Sequence, residues 1–68
     1  MPMLITLNGK PLELPAGTTV AGLLKRAGFA GRRVAVEVNQ TIVPRSQHDQ
    51  HALAENDRVE IVQAIGGG

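Results

Sequence analysis

Val20, Leu23, Leu24 and Ala27 stand at i, i+3, i+4 and i+7, a single apolar stripe at the helical period. The apolar segments around it alternate with a period of two. A lone amphipathic helix has no second helix to pack on, so its stripe must be buried against a sheet. With 68 residues the chain has room for one such pair of layers and no more. A 43% hydrophobic and 19% charged composition supports a packed core and excludes wholesale disorder.

The strands can be read in order. Met3, Ile5 and Leu7 share one face, with Leu4 and Thr6 on the other. Asn8-Gly9 then predicts a type I′ hairpin, because both central residues of that turn need positive φ. Leu12 and Leu14 continue as a second strand, which Pro11 confines to an edge, and Pro15-Ala16-Gly17 ends it. Thr18 or Thr19 caps the helix. Lys25 and Arg26 suit its last turn, Gly28 suits a left-handed ending, and Phe29 is placed to touch Leu24. Gly22 costs the helix about 1 kcal/mol relative to Ala and suggests a close approach to the sheet.

Val34, Val36 and Val38 alternate as a third strand, and Asn39-Gln40 turns the chain. Ile42-Val43 is a short extended piece stopped by Pro44. Residues 45–55 are polar and irregular, anchored at Ala52-Leu53. After a turn at Asn56-Asp57, the last strand is expected over Arg58–Ile65. Val59 and Ile61 lie on one of its faces and Val62 and Ala64 on the other, the pattern of a central strand.

This order predicts an α+β fold: a mixed four- to five-stranded sheet on one main helix. The helix crosses from the hairpin to later strands, so at least one strand pair is parallel. That is the β-grasp arrangement of ubiquitin-like proteins; by analogy with them, the first and last strands are adjacent and parallel. The expected organisation is one domain over residues 1–65 and a flexible tail over residues 66–68, with no internal repeat.

Several function classes fall away. Phe29 is the only aromatic and the net charge is +1, so base stacking and phosphate tracking are disfavoured and no nucleic-acid partner is expected. No apolar run approaches the roughly 20 residues of a membrane span, and no basic signal-peptide start is visible. There is no cysteine, hence no disulfide and no thiol nucleophile, and a cytoplasmic location is the natural expectation. His48 and His51, with Asp49 nearby, lack a third protein ligand for zinc, so no metal is expected and both histidines read as solvated loop residues. Arg32, Arg33 and Arg45 suit solvation or a rim contact with an acidic partner. Ser46, His48 and Asp49 are triad residue types, but sequence neighbours do not make an aligned relay, and no catalysis by this chain is expected.

Gly66-Gly67-Gly68 is the feature with chemical content. At about 7% glycine usage, three in a row at a given end arise by chance roughly once in 3,000. Without Cβ atoms such a segment passes through a channel too narrow for side chains. It delivers one reactive group, the α-carboxylate of Gly68, ionised at neutral pH with a pKa of about 3.5. A carboxylate is a poor electrophile until it is joined to a leaving group such as AMP, and a partner enzyme must do that.

Nearly the whole chain resembles the sulfur carrier family of thiamine biosynthesis. The resemblance rests on Ile5-Thr6-Leu7-Asn8-Gly9, Gly17-Thr18-Thr19-Val20 with Leu23-Leu24, and Val34-Ala35-Val36-Glu37-Val38-Asn39. Ile42-Val43-Pro44-Arg45-Ser46-Gln47, Asp57-Arg58-Val59-Glu60-Ile61-Val62 and Ala64-Ile65-Gly66-Gly67-Gly68 complete it. It implies a carrier, not an enzyme, that binds no cofactor itself. An adenylyltransferase resembling ubiquitin-activating enzymes would adenylate Gly68 with ATP and magnesium. A cysteine desulfurase would supply persulfide sulfur, and the resulting Gly68 thiocarboxylate would donate it to thiazole synthase.

Gly66 and Gly67 would thread the partner's active site. Leu4, Ile42, Val62, Ala64 and Ile65 are expected to form an apolar docking surface on the sheet face away from the helix. The free chain is expected to be a monomer. Other readings of the same features are the small subunit of molybdopterin synthase, a protein-conjugating ubiquitin-like modifier, and a plain interaction module.

Overall fold

The hairpin forms where its residues demand it. In the computed structural model, which describes residues 1–63, Asn8 and Gly9 have φ of 51° and 84° and join β1 (Pro2–Leu7) to β2 (Lys10–Pro15). The helix α1 follows at Val20–Arg26, then β3 (Val34–Val38), β4 (Thr41–Val43), a 3₁₀ turn at Arg45–Gln47, and β5 (Arg58–Gln63). Asn39 and Gln40, with φ of 53° and 71°, make the second tight turn, between β3 and β4. Expected residues Ala64 and Ile65 of the last strand, and the tail over 66–68, lie outside the described residues.

The strand order is β2-β1-β5-β3-β4. β5 is central, parallel to β1 and antiparallel to β3, and β2 is the edge that Pro11 requires. This is the ubiquitin-like β-grasp: one helix laid across a five-stranded mixed sheet. The side chains of Ile5, Leu14, Val20, Leu23, Val36 and Val59 are almost wholly removed from solvent and form the centre of the core. Central position does not cover both faces of β5: Val59 and Ile61 are buried on the helix side, while Val62 is 59% exposed on the other.

The helix ends as a Schellman motif. The Phe29 amide donates to the Leu24 carbonyl at 2.7 Å and the Gly28 amide to that of Lys25 at 3.3 Å, with Gly28 at φ 87°. Ala27, expected in the buried stripe, is instead exposed. The helix stops at Arg26, so Ala27 becomes the cap residue, turned out of the stripe, and half-buried Phe29 packs on the core at this end.

The segment at residues 45–55 closes the other end of the helix. A helix leaves its first amides without internal acceptors. Here the Val20 amide donates to the His51 carbonyl and that of Ala21 to the His48 carbonyl, both at 2.9 Å. Thr19 is the N-cap, its Oγ1 accepting from the Gly22 amide at 3.1 Å, while the Thr18 hydroxyl donates to the Pro15 carbonyl. Gly22 does not make the close approach to the sheet expected from sequence: a Cβ there would face the side chains of Thr18 and Thr19. Thr19→Ala is expected to cost about 1 kcal/mol, read as a lower midpoint in urea with an unchanged slope.

His48 is not the solvated residue its polar surroundings suggest. It is 7% exposed, and its Nε2 donates to the Val43 carbonyl at 3.0 Å, pinning the 3₁₀ turn to β4. His51 is half-buried.

Candidate functional site

β5 delivers the end of the chain, and asparagines in two turns hold it. Asn8 continues the ladder where β1 stops: its amide donates to the Val59 carbonyl at 2.9 Å, and its Oδ1 accepts from the Ile61 amide at 2.8 Å. Asn39 Oδ1 accepts from the Arg58 amide at 2.9 Å, and its Nδ2 donates to Asp57 Oδ1 at 3.0 Å. The β1 pairing ends at Leu7↔Val59, whereas the β3 pairing runs on through Ala35↔Val62 to Val34↔Gln63. The last described residues of β5 therefore leave the sheet held by β3 on one side.

The outer sheet face carries Leu4, Ile42 and Val62, 43%, 57% and 59% exposed. They do not form the single apolar surface expected from sequence. Thr6 pairs with Arg58 in parallel register, so Leu4 and Val62 stand six residue steps, roughly 20 Å, apart along the sheet. Ile42 is nearer: its partner Glu37 lies two residues from Ala35, the partner of Val62. Exposed Ala35 thus joins Ile42 and Val62 at the exit end. Strand parity alone puts Ala35 on that face, but only the register puts it beside Val62. Glu37 and Glu60 face each other across the same surface, so the patch is apolar with an acidic centre. Ala64 and Ile65, and the glycines 66–68, lie outside the described residues.

Among the described residues no group of three or more His, Cys, Asp or Glu is placed to hold a metal ion. His48 and His51 are not brought together as ligands: the Nε2 of His48 is engaged by Val43. Of two broad hollows, the one of about 450 Å³ beside Met1 and Pro15 is lined by no Ser, Thr, Cys or His, and in the one of about 490 Å³ beside Thr19 and Lys25 both threonine oxygens are bonded to backbone. No helix among the described residues is long and apolar enough to cross a membrane.

The sequence profile of the ThiS family matches residues 5–68. The chain belongs to the ThiS family. The sulfur carrier protein ThiS of Escherichia coli (strain K12) is 36% identical over 66 residues, covering 97% of this chain and 100% of that protein. The crystal structure of a thiamine biosynthesis protein (ThiS) from Geobacter metallireducens superposes with a TM-score of 0.83 at 32% identity, over 97% of this chain and 100% of that one. A thiazole synthase of Magnetococcus marinus is 48% identical over 66 residues, but this ThiS-family chain spans only 20% of its length. The β-grasp expected from the strand pattern is therefore the fold of the family as well as of this chain.

Proposed function

We propose that this chain is a sulfur carrier for assembly of the thiazole moiety of thiamine, and is itself a substrate, not a catalyst. The observation that supports it most is its likeness, over 97% of this chain and the whole of the relative, to a carrier of that name, with the family profile running through residues 66–68. The carboxylate of Gly68 attacks the α-phosphate of ATP on a partner adenylyltransferase, which uses magnesium, and pyrophosphate leaves. A persulfide drawn from a cysteine desulfurase attacks the acyl carbon, and AMP leaves. Thiol cleavage of the resulting acyl disulfide yields the thiocarboxylate, whose sulfur is nucleophilic. Thiazole synthase is the acceptor; its pairing with a ThiS-like segment within longer relatives supports that choice.

Each protein residue has a role in this reading. Gly66 and Gly67 offer no side chain to the partner's channel. Ile42 and Val62, joined by Ala35, dock beside the exit of β5, with Ala64 and Ile65 continuing toward the glycines. Leu4 stands outside that contact because of its distance along the sheet. The chain works in the cytoplasm and is a monomer when free.

Val62→Glu tests the docking face. Val62 is 59% exposed, so the substitution opens no cavity, and it adds a third carboxylate beside Glu37 and Glu60. Carrier-dependent adenylation is expected to fall by about tenfold or more, with the thermal midpoint within a few degrees of the parent. Unchanged adenylation kinetics would remove Val62 from the docking surface.

A further inference from the structure

Arg45 lies twelve residues beyond the neighbouring pair Arg32 and Arg33, yet all three line one pocket of about 110 Å³. Leu24, Phe29 and Val34 supply its apolar wall, and buried His48 lines it too. No Asp or Glu is among the residues that line it. The backbone around it is pinned: the Arg32 amide donates to the Phe29 carbonyl at 3.0 Å, and the His48 ring holds the Val43 carbonyl two residues before Arg45. The three arginines, all exposed, bring like charge to one small hollow that an anion would offset, and guanidinium geometry matches an oxyanion. Drug-sized ligands occupy pockets from roughly 300 Å³ upward, so a nucleotide is too large for this one.

Position selects the occupant. Val34 in the pocket wall is the cross-strand partner of Gln63, the last described residue of β5. The chain beyond Gln63 starts from this end of the sheet, so a protein that receives it has the pocket within reach. We infer that Arg32, Arg33 and Arg45, with His48, form a socket for one carboxylate side chain on the surface of the adenylating partner. The proposal rests on the carrier reading for the identity of that partner. Together with the face at Ala35, Ile42 and Val62, the socket makes docking two-sided: apolar on the sheet, ionic at the loop between helix and β3.

The test is ATP–pyrophosphate exchange by the cognate adenylyltransferase, measured against carrier concentration. The double substitution Arg33→Ala with Arg45→Ala is expected to raise KM for the carrier about tenfold at low salt, with kcat within about twofold, because charged contacts of this kind act mainly on encounter and docking. The paired Lys variants should recover part of the loss, and high salt should shrink the gap between parent and variant. A KM within twofold of the parent, or a lowered kcat with KM unchanged, would overturn the socket. Arg32→Glu, a change in an exposed loop residue, gives the same readout if the double variant folds poorly. Absence of exchange with the parent chain would overturn the carrier reading and the socket together; exchange with the parent and no change in the variants would overturn the socket alone.

Discussion

Removal of Gly68 is expected to abolish carrier-dependent pyrophosphate exchange and to leave the fold as it was. In the proposed reaction the carboxylate of Gly68 must arrive at the partner's reacting phosphate, and reaction rates fall steeply when the reacting atoms are displaced even by about 1 Å. Shortening the chain by one residue withdraws the carboxylate by about 3.3 Å. The core residues Ile5, Leu23 and Val59 belong to elements that end by residue 63, so thermal unfolding is expected to match the parent. An interaction module with an idle tail would lose nothing on this truncation. A protein-conjugating modifier would also lose activity, but its parent form would appear in lysate as higher-mass conjugates on lysine. Full exchange by the truncated chain would place the reactive acid elsewhere.

Leu23→Ala carries the largest expected loss of stability. Leu23 is wholly buried and sits at the middle of α1, over the strands. Replacing a buried leucine by alanine costs roughly 2–5 kcal/mol, part lost transfer energy and part cavity. A chain of this size has only roughly 3–10 kcal/mol of stability in total. Each kcal/mol lost lowers the midpoint by about 4–8 °C in a domain this small. The variant is therefore expected to melt at least about 10 °C below the parent, or to be unfolded at 37 °C. A loss below about 1 kcal/mol would mean that α1 is not the lid of the core.

The elements most legible in the sequence are those fixed by local stereochemistry. Asn8-Gly9 and Gly28 are read as positive-φ positions and adopt it, and Asn39-Gln40 turns the chain as expected. The stripe of Val20, Leu23 and Leu24 states which helix face is buried. Ala27 misleads because periodicity does not report where a helix stops. His48 misleads because residues 45–55 are ordered by partners distant in sequence: their carbonyls accept the first amides of α1, and the His48 ring is drawn in to meet Val43.

The candidate site was less legible for a related reason. Leu4 and Val62 share a sheet face by strand parity, but their separation is set by the parallel register of β1 and β5, which no local pattern encodes. Glu37 and Glu60 likewise meet only through the β3 register, whereas the three arginines are grouped from sequence and only their shared pocket comes from the fold. The role proposed for Gly68, by contrast, rests on the sequence and the family likeness alone.

Intact-mass spectrometry of the chain, after incubation with ATP, magnesium, the cognate adenylyltransferase and a persulfide donor, tests the central claim most directly. Exchange of one terminal oxygen for sulfur adds about 16 Da, nearly the increment of methionine oxidation, so the gain must be localised by fragmentation. The carrier account predicts a gain confined to the fragment ending in Gly68, dependent on ATP and lost when that residue is removed. No gain, or one found only on the fragment holding Met1 and Met3, would contradict it.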